Sequence, residues 1–167
     1  TTVMANLGFH RAMAAAGIHV VTTQVGDRYV AEEMRRTGAM LGGEQSGHVI
    51  FAEQATTGDG LLTAVRLLSL AAQTGVGLGE LAAVMRRFPQ VIVNVRIADR
   101  RDPAAVSAVG TAVAAAERSL GDTGRVVVRP SGTEPLVRVM VEAEDEATAR
   151  RHADAIAGIV DAELGGR

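Results

Sequence analysis

The most chemically specific segment of this chain is residues 129–135, RPSGTEP, which brings an arginine, two hydroxyls and a glycine into one turn. The guanidinium of Arg129 can hold a phosphate through two parallel hydrogen bonds, and Ser131 and Thr133 add neutral donors. Gly132 allows backbone N–H groups to face a common concavity. The segment therefore predicts a phosphate-binding loop; the alternative is an ordinary hairpin turn that happens to contain an arginine.

A second segment, residues 41–48 (LGGEQSGH), suits a ligand with several hydroxyl groups. The carboxylate of Glu44 can accept hydrogen bonds from adjacent sugar hydroxyls, and Ser46 can donate or accept. His48 closes the segment, although a single histidine is more often packed than ligand-binding. The three glycines allow a sharp turn between two short strands. Taken alone, the segment fits a glycine-rich strand–turn–strand link equally well.

Together the two segments resemble the phosphate-binding and sugar-binding loops of the α-D-phosphohexomutase superfamily, in that family's order and spacing. Four further segments, with Gln45, resemble its bacterial phosphoglucosamine mutase branch, and the similarity covers essentially the whole chain. These segments are residues 25–30 (VGDRYV), 56–60 (TTGDG), 88–90 (FPQ) and 136–142 (LVRVMVE).

The resemblance implies that a phosphoserine and a bisphosphate intermediate interconvert glucosamine 6-phosphate and glucosamine 1-phosphate, which feeds amino-sugar nucleotide and cell-wall synthesis. It also implies Mg²⁺ in the full-length enzyme. The family's phosphoserine loop and Asp-rich magnesium loop are absent from this sequence, and residues 26–28 and 58–60 hold one acid each, too few for a hard cation. We therefore expect a C-terminal part of a longer enzyme, inactive alone, with no catalytic residue and no metal ligand.

The expected partners are a hexosamine phosphate substrate and the N-terminal domains of the same enzyme, and a homodimer is compatible with the resemblance. A phosphomannomutase or phosphoglucomutase fragment, or a non-catalytic phosphosugar-binding module, is the alternative. For Asp27 and Arg28, a helix N-terminal acid with an ion-paired neighbour fits as well as a ligand role. The resemblance implies that phosphate is bound by Arg129, Ser131, Gly132 and Thr133, that the sugar is bound by Glu44, Ser46 and His48, and that Asp27, Arg28 and Gln45 are further candidates.

Composition excludes several other classes of function. A net charge of −2 and an aromatic content of 2% argue against a nucleic-acid binder, which needs a basic surface and stacking platforms. The sequence has no cysteine, so disulfides and thiolate chemistry are excluded. It has no secretory signal and no apolar run long enough to span a membrane. These features fit a cytoplasmic protein with no membrane partner.

The N-terminal half alternates predicted helices and strands, which indicates an α/β layer. We expect this part, residues 1–77, to be an incomplete third phosphohexomutase domain that lacks a strand before its first helix. Asp59 to Thr74 should present a wide buried face, and glycines at 75, 77 and 79 should mark the domain boundary. The predicted helices are Thr1–Ala16, Asp27–Thr37, Asp59–Thr74 and Leu81–Arg87, and the predicted strands are residues 18–22, 39–41 and 49–52.

The C-terminal half, residues 78–167, predicts a small α+β domain with an antiparallel sheet and helices on one face, the fourth domain of the family. Valines alternate along residues 91–97 and 137–143, and apolar stripes mark one helix that Asp102 caps and another over residues 145–164. Residues 125–128 and 136–143 then flank the phosphate loop as strands. Arg138 lies opposite the valines of its strand; it could reach the phosphate, but we interpret it as a solvent-exposed strand arginine, since charged side chains are mostly exposed.

Overall fold

The computed structural model describes residues 1–99 and 101–166. The chain divides into two compact units, Thr1–Arg87 and Phe88–Arg167. This division differs from the boundary predicted between residues 77 and 78. The glycines at that point terminate helices: Gly75 ends one helix in the left-handed conformation, at φ 69°, and Gly77 precedes the next.

The first unit begins with an extended segment. Thr2 pairs in parallel with Thr23, and the N–H of Val3 donates to the Thr23 carbonyl at 2.9 Å. Helix α1, Leu7–Ala15, starts after Asn6, whose side chain accepts a hydrogen bond from the N–H of Gly8. The helix predicted from Thr1 is therefore wrong for its first six residues, because strand pairing and the Asn6 cap exclude them from it. Two parallel extended segments joined by a helix have the order of a βαβ unit.

A helix and a hairpin form the small core of this unit. Helix α2, Asp27–Thr37, ends at a left-handed Gly38 as predicted, and strands β1, Leu41–Gly43, and β2, Val49–Phe51, pair antiparallel. A side chain at Gly42 would overlap Met34 and Val30, so glycine is what lets α2 lie against β1. Beneath them lies a cluster of three buried residues, Val30, Met34 and Ile50.

Helix α3, Gly60–Thr74, is capped by Asp59, which accepts from the N–H of Leu62. The wide buried face predicted for it is not present: none of its residues, all of which the structure describes, is buried. Leu61 is 82% exposed and Leu68 57%. The apolar stripe exists in the sequence, but the described residues leave it uncovered. Helix α4, Leu78–Ala82, lies earlier than the predicted residues 81–87.

The second unit contains a three-stranded antiparallel sheet. Its strands are β3, Gln90–Arg96, β4, Arg125–Pro130, and β5, Leu136–Glu142, in the order β3-β5-β4. The valines of β5 are fully buried and join a core built with residues of the following helices. Helices α5, Ser107–Leu120, and α6, Glu146–Leu164, cover this one face, which confirms the predicted α+β architecture.

The start of α5 differs from the prediction. Asp102 does accept a hydrogen bond from the N–H of Ala104, but Pro103–Ala105 form only a 3₁₀ turn. Val106 is then extended, at φ −92° and ψ 109°, and α5 begins at Ser107. The cap and proline that predicted the helix therefore belong to a separate turn. No helix in the described part of the chain is long and apolar enough to cross a bilayer.

The sheet face opposite the helices carries charged side chains. At one end, the fully buried Glu142 accepts hydrogen bonds from Arg125 Nε at 2.6 Å and from Gln90 Nε2 at 2.7 Å. At the other end, Arg129 and Arg138 are cross-strand neighbours. At the first end, one carboxylate is thus bonded to an arginine and a glutamine on the two neighbouring strands, whereas the second end places two cations side by side.

Candidate functional site

The segment of residues 129–135, called the Arg129 loop below, joins β4 to β5. The N–H of Ser131 donates to the Leu136 carbonyl at 2.8 Å, and the N–H of Glu134 donates to Ser131 Oγ at 3.4 Å. Ser131 is half-buried, whereas Gly132 and Thr133 are exposed. The loop therefore presents its hydroxyls and backbone at the end of a well-packed sheet, a common location for binding groups.

Arg129 and Arg138 give this end of the sheet its electrostatic character. They are directly opposed in the β4–β5 register, so their side chains share one face. The Nε atom of each is buried and has no hydrogen-bond partner among the described residues. Burial, and then the positive charge of Arg138, hold the pKa of Arg129 below its usual value. An anion between the two guanidiniums would supply the missing acceptors and neutralise the repulsion.

The structure thus adds Arg138 to the predicted set. It is half-buried rather than freely solvated, and its one ion pair in the described structure is a long contact of 3.6 Å from Nη2 to Oε2 of Glu134. The missed signal was the hairpin register: counting outward from the turn places the arginine before the loop opposite the arginine in the next strand.

Gly132 differs in one respect from its expected role. Its φ is not positive, and a Cβ atom there would meet nothing within 4 Å. The backbone therefore does not require glycine for its conformation. What glycine leaves is open space beside Ser131 and Thr133, which a ligand can occupy. Binding of phosphate by these three residues stays a prediction.

The segment of residues 44–48, called the Glu44 loop below, closes the β1–β2 hairpin. Its backbone is tied by hydrogen bonds of 3.0 Å from the N–H of Glu44 to the His48 carbonyl and from the N–H of Gly47 to the Glu44 carbonyl. Gly47 has a φ of 95°, a conformation that residues with a side chain rarely adopt. A Cβ atom on Gly58 would lie 3.1 Å from that of His48, so glycine there lets the chain pass close to the loop.

The three polar side chains of the Glu44 loop bond one another. Ser46 Oγ donates to Glu44 Oε1 at 2.7 Å and lies 2.8 Å from His48 Nδ1, and His48 Nδ1 is 3.3 Å from Glu44 Oε1. Because the hydroxyl has one proton and gives it to Glu44, His48 donates from Nδ1 to Ser46. The Glu44 side chain is only 12% exposed, while that of His48 is 54% exposed. The sequence-predicted residues are therefore brought together as one preorganised group.

The further candidates are less integrated. Gln45 is exposed at the tip of the Glu44 loop. Asp27 accepts a hydrogen bond from the N–H of Arg28 at 2.8 Å, and the Arg28 guanidinium lies 4.8 Å from the ring centroid of Tyr29. Arg28 also pairs with Glu32 at 3.8 Å. Both residues thus interact within α2, and a ligand role for Asp27, Arg28 and Gln45 stays a prediction.

The described residues contain no group of three or more histidine or acidic side chains that could hold a metal ion. Magnesium needs several oxygen ligands in a nearly octahedral arrangement. The residues described here therefore do not fit a magnesium site of their own.

Comparison with known protein families places this architecture. Residues 1–88 match the model for phosphoglucomutase/phosphomannomutase, alpha/beta/alpha domain III, and residues 92–159 match the model for the phosphoglucomutase/phosphomannomutase C-terminal domain. The chain belongs to the phosphoglucomutase/phosphomannomutase family. The division into compact units between Arg87 and Phe88 lies one residue before the end of the first match, at residue 88.

Curated relatives with high sequence identity to this chain belong to one branch of this family. The chain is 64% identical over 163 residues to the phosphoglucosamine mutase of Frankia alni, and 59% identical over 156 residues to that of Mycolicibacterium smegmatis. These matches cover 98% and 93% of this chain but 36% and 34% of the relatives. The chain thus spans about a third of the length of the curated relatives it matches.

Solved structures support the fold. Aspergillus fumigatus N-acetylphosphoglucosamine mutase, in complex with GlcNAc-6P and magnesium, superposes with a TM-score of 0.78 at 20% identity, covering 95% of this chain and 40% of that one. A variant of the same enzyme in complex with glucose 1,6-bisphosphate gives a TM-score of 0.81 at 21% identity, covering 98% and 38%. At these identities the comparison shows the fold alone.

Proposed function

We propose that this chain is the sugar- and phosphate-binding part of a phosphoglucosamine mutase that interconverts glucosamine 6-phosphate and glucosamine 1-phosphate. The observation that supports this proposal most directly is the Arg129–Arg138 pair, whose buried Nε atoms lack hydrogen-bond partners in the described structure. Two adjacent cations are costly in a protein without an anionic ligand. Identities of about 60% to bacterial phosphoglucosamine mutases support the choice of substrate.

In this proposal the two loops bind different parts of one substrate. The Arg129 loop, with Arg138, holds the phosphate that is not being transferred, through bidentate guanidinium contacts and the donors of residues 131–133. Glu44, Ser46 and His48 hold sugar hydroxyls by exchanging their mutual hydrogen bonds for bonds to the sugar. Phosphoryl transfer depends mostly on positioning and charge stabilisation, so these contacts contribute to catalysis without reacting.

The reacting groups are supplied elsewhere in the enzyme. We propose that other domains of the same cytoplasmic enzyme provide the phosphoserine and hold Mg²⁺, which stabilises charge on the transferred group. The exposed apolar face of α3, which includes Leu61, Val65 and Leu68, is suited to packing against such a neighbouring part. Activity therefore requires more than the residues described here.

An NMR titration of this 167-residue chain tests the binding role. Glucosamine 6-phosphate is compared with glucose 6-phosphate and inorganic phosphate, and we expect dissociation constants on the order of millimolar because half the site is missing. Any phosphate should shift the amides of Gly132 and Thr133, while only the sugar phosphates should shift residues 43–47. A stronger response to the hydroxy sugar than to the amino sugar would favour a phosphoglucomutase or phosphomannomutase instead.

Two variants make the titration specific. Arg129→Ala should abolish the response of the Arg129 loop, whereas Arg150→Ala, which removes the same charge from the exposed face of α6, should leave it unchanged. Equal losses in both variants would show that only net charge matters. An absence of phosphate response in the wild-type chain would contradict the binding role itself.

A further inference from the structure

The Arg129 loop contains its own anion. Oε2 of Glu134 lies 3.6 Å from Nη2 of Arg138, and the side chains are 59% and 37% exposed, respectively. Glu134 belongs to the loop backbone, because its N–H donates to Ser131 Oγ at 3.4 Å and its carbonyl accepts from the N–H of Leu136 at 2.8 Å. The carboxylate is therefore tethered beside one of the two arginines that face the candidate phosphate position.

We propose that Glu134 is an internal competitor for the phosphate: its carboxylate pairs with Arg138 in the free protein and leaves when the phosphate binds. This inference rests on the proposed phosphate-binding function and assigns Glu134 the role of a positioning residue that sets affinity and release.

The geometry makes the carboxylate displaceable. Exposed ion pairs contribute little, and this contact exceeds hydrogen-bonding distance. Glu134 also leaves the Nε atoms of Arg129 and Arg138 unsatisfied. A phosphate dianion carries more charge and more acceptor oxygens than one carboxylate, so it can engage both arginines and the hydroxyls of Ser131 and Thr133. Monovalent anions gain less and compete poorly with Glu134.

The expected benefit is release. In the proposed reaction the site must hold one phosphate of the substrate and later the other, so it must let each phosphate go. A tethered anion that returns to Arg138 lowers the affinity for every phosphate and speeds its dissociation. Removing that anion should tighten binding without a new contact to the ligand.

The test uses Glu134→Gln in the 167-residue chain, with inorganic phosphate and glucose 6-phosphate as ligands and NMR line shapes for the dissociation rates. Because exposed ion pairs are weak, we expect phosphate to bind about 2–5-fold more tightly than to wild type, with slower dissociation. Glu144→Gln is the matched control: it removes the same charge beyond the other end of the seven-residue β5, roughly 20 Å from the loop.

A double-mutant cycle separates competition from a general charge effect. In an Arg138→Ala background, Glu134→Gln should no longer change the affinity, since the carboxylate has lost its partner. Thermal melts should match wild type, because Glu134 is exposed; Glu134→Ala provides a second variant.

The outcomes distinguish this inference from the proposed function. Equal or weaker phosphate binding by Glu134→Gln, with normal binding by wild type, overturns the competitor role and leaves the phosphate site intact. Tightening that persists without Arg138 also overturns it. Failure of both wild type and Glu134→Gln to bind phosphate overturns the site itself and the competitor with it.

Discussion

In the Glu44 loop, three polar side chains satisfy one another at distances of 2.7–3.3 Å, whereas at the end of β4 and β5 two arginines face each other with buried Nε atoms that no described residue satisfies. The packing beneath the two loops shows the opposite trend, since the loop with satisfied side chains has the smaller core. The Glu44 loop stands on a two-stranded hairpin with a three-residue buried cluster, and the Arg129 loop stands on a sheet whose face is fully packed by two helices.

This contrast matches what each ligand group of the proposed function would require. Neutral hydroxyls exchange hydrogen bonds nearly evenly with the protein, so a lightly packed hairpin with internally bonded side chains is sufficient. Two adjacent cations raise the energy of the free protein and need a rigid support that keeps them together. The packed second unit can carry that cost, which the proposed phosphate would offset on binding.

The largest expected effect follows from removing this support. Ile156→Ala opens a cavity beneath the sheet, since Ile156 is 1% exposed, and should lower the free energy of unfolding of the second unit by about 2–5 kcal/mol. Leu68→Ala on the exposed face of α3 should change the free energy of unfolding of the first unit by less than about 0.5 kcal/mol. Chemical denaturation followed by NMR probes in each unit checks both, and similar losses would contradict the difference in packing.

Loss of a guanidinium comes next. In the complete enzyme that we propose, Arg129→Ala should weaken substrate binding by about 1.5–3 kcal/mol, the value of charge-assisted hydrogen bonds. Steady-state kinetics with glucosamine 6-phosphate measures this, and an unchanged kcat/KM would rule out the clamp. In the isolated chain, Arg129→Gln should raise the Tm of the second unit, because it removes the repulsion between the half-buried Arg129 and Arg138. A lowered Tm would contradict a destabilising repulsion between Arg129 and Arg138.

Two glycines distinguish conformational need from ligand space. Gly47→Ala forces a side chain into a φ of 95° and should destabilise the first unit by about 1 kcal/mol. Gly132→Ala should leave the Tm unchanged, because its φ is not positive and its surroundings are open, yet it should reduce phosphate affinity by occupying that space. Thermal melts and phosphate titrations of both variants check this; a Gly132→Ala variant with wild-type affinity would place the ligand elsewhere.

Ser46→Ala should have a modest effect. It removes one neutral hydroxyl from the group of Glu44, Ser46 and His48, so we expect sugar phosphate affinity to fall by roughly 3–10-fold, as for one neutral hydrogen bond. Affinity for inorganic phosphate should not change. Titrations with glucose 6-phosphate and with inorganic phosphate measure the two affinities separately. Equal losses for both ligands would contradict the assignment of sugar and phosphate binding to different loops.

Much of the second unit could be predicted because its sequence periods are strong. The valines of β5 alternate, and the apolar residues of α6 recur every three to four positions. Both patterns run over enough residues to predict which face is buried. The starts of helices were harder to predict. Asn6 and Asp102 each form the same kind of cap, but only the tertiary structure decides whether a long helix follows. Whether the apolar face of α3 is buried could not be predicted from its sequence pattern, since burial depends on which part of the protein packs against it.

The candidate residues were predicted from side-chain chemistry together with the family resemblance, and the structure brings Glu44, Ser46 and His48 into mutual contact. Arg138 was interpreted as solvated because a lone charged residue on a strand usually is. Its pairing with Arg129 comes from the register of two strands, which no single-residue preference contains.

The most direct test is an NMR spectrum of the arginine Nε–H groups in this chain during titration with inorganic phosphate, with Arg129→Lys and Arg138→Lys used to assign the two signals. Binding between the arginines predicts that both Nε–H resonances shift together and exchange more slowly with water, while those of exposed Arg150 and Arg151 stay unchanged. If neither signal moves at tens of millimolar phosphate while the amide spectrum shows a folded second unit, the Arg129–Arg138 pair is not a phosphate site.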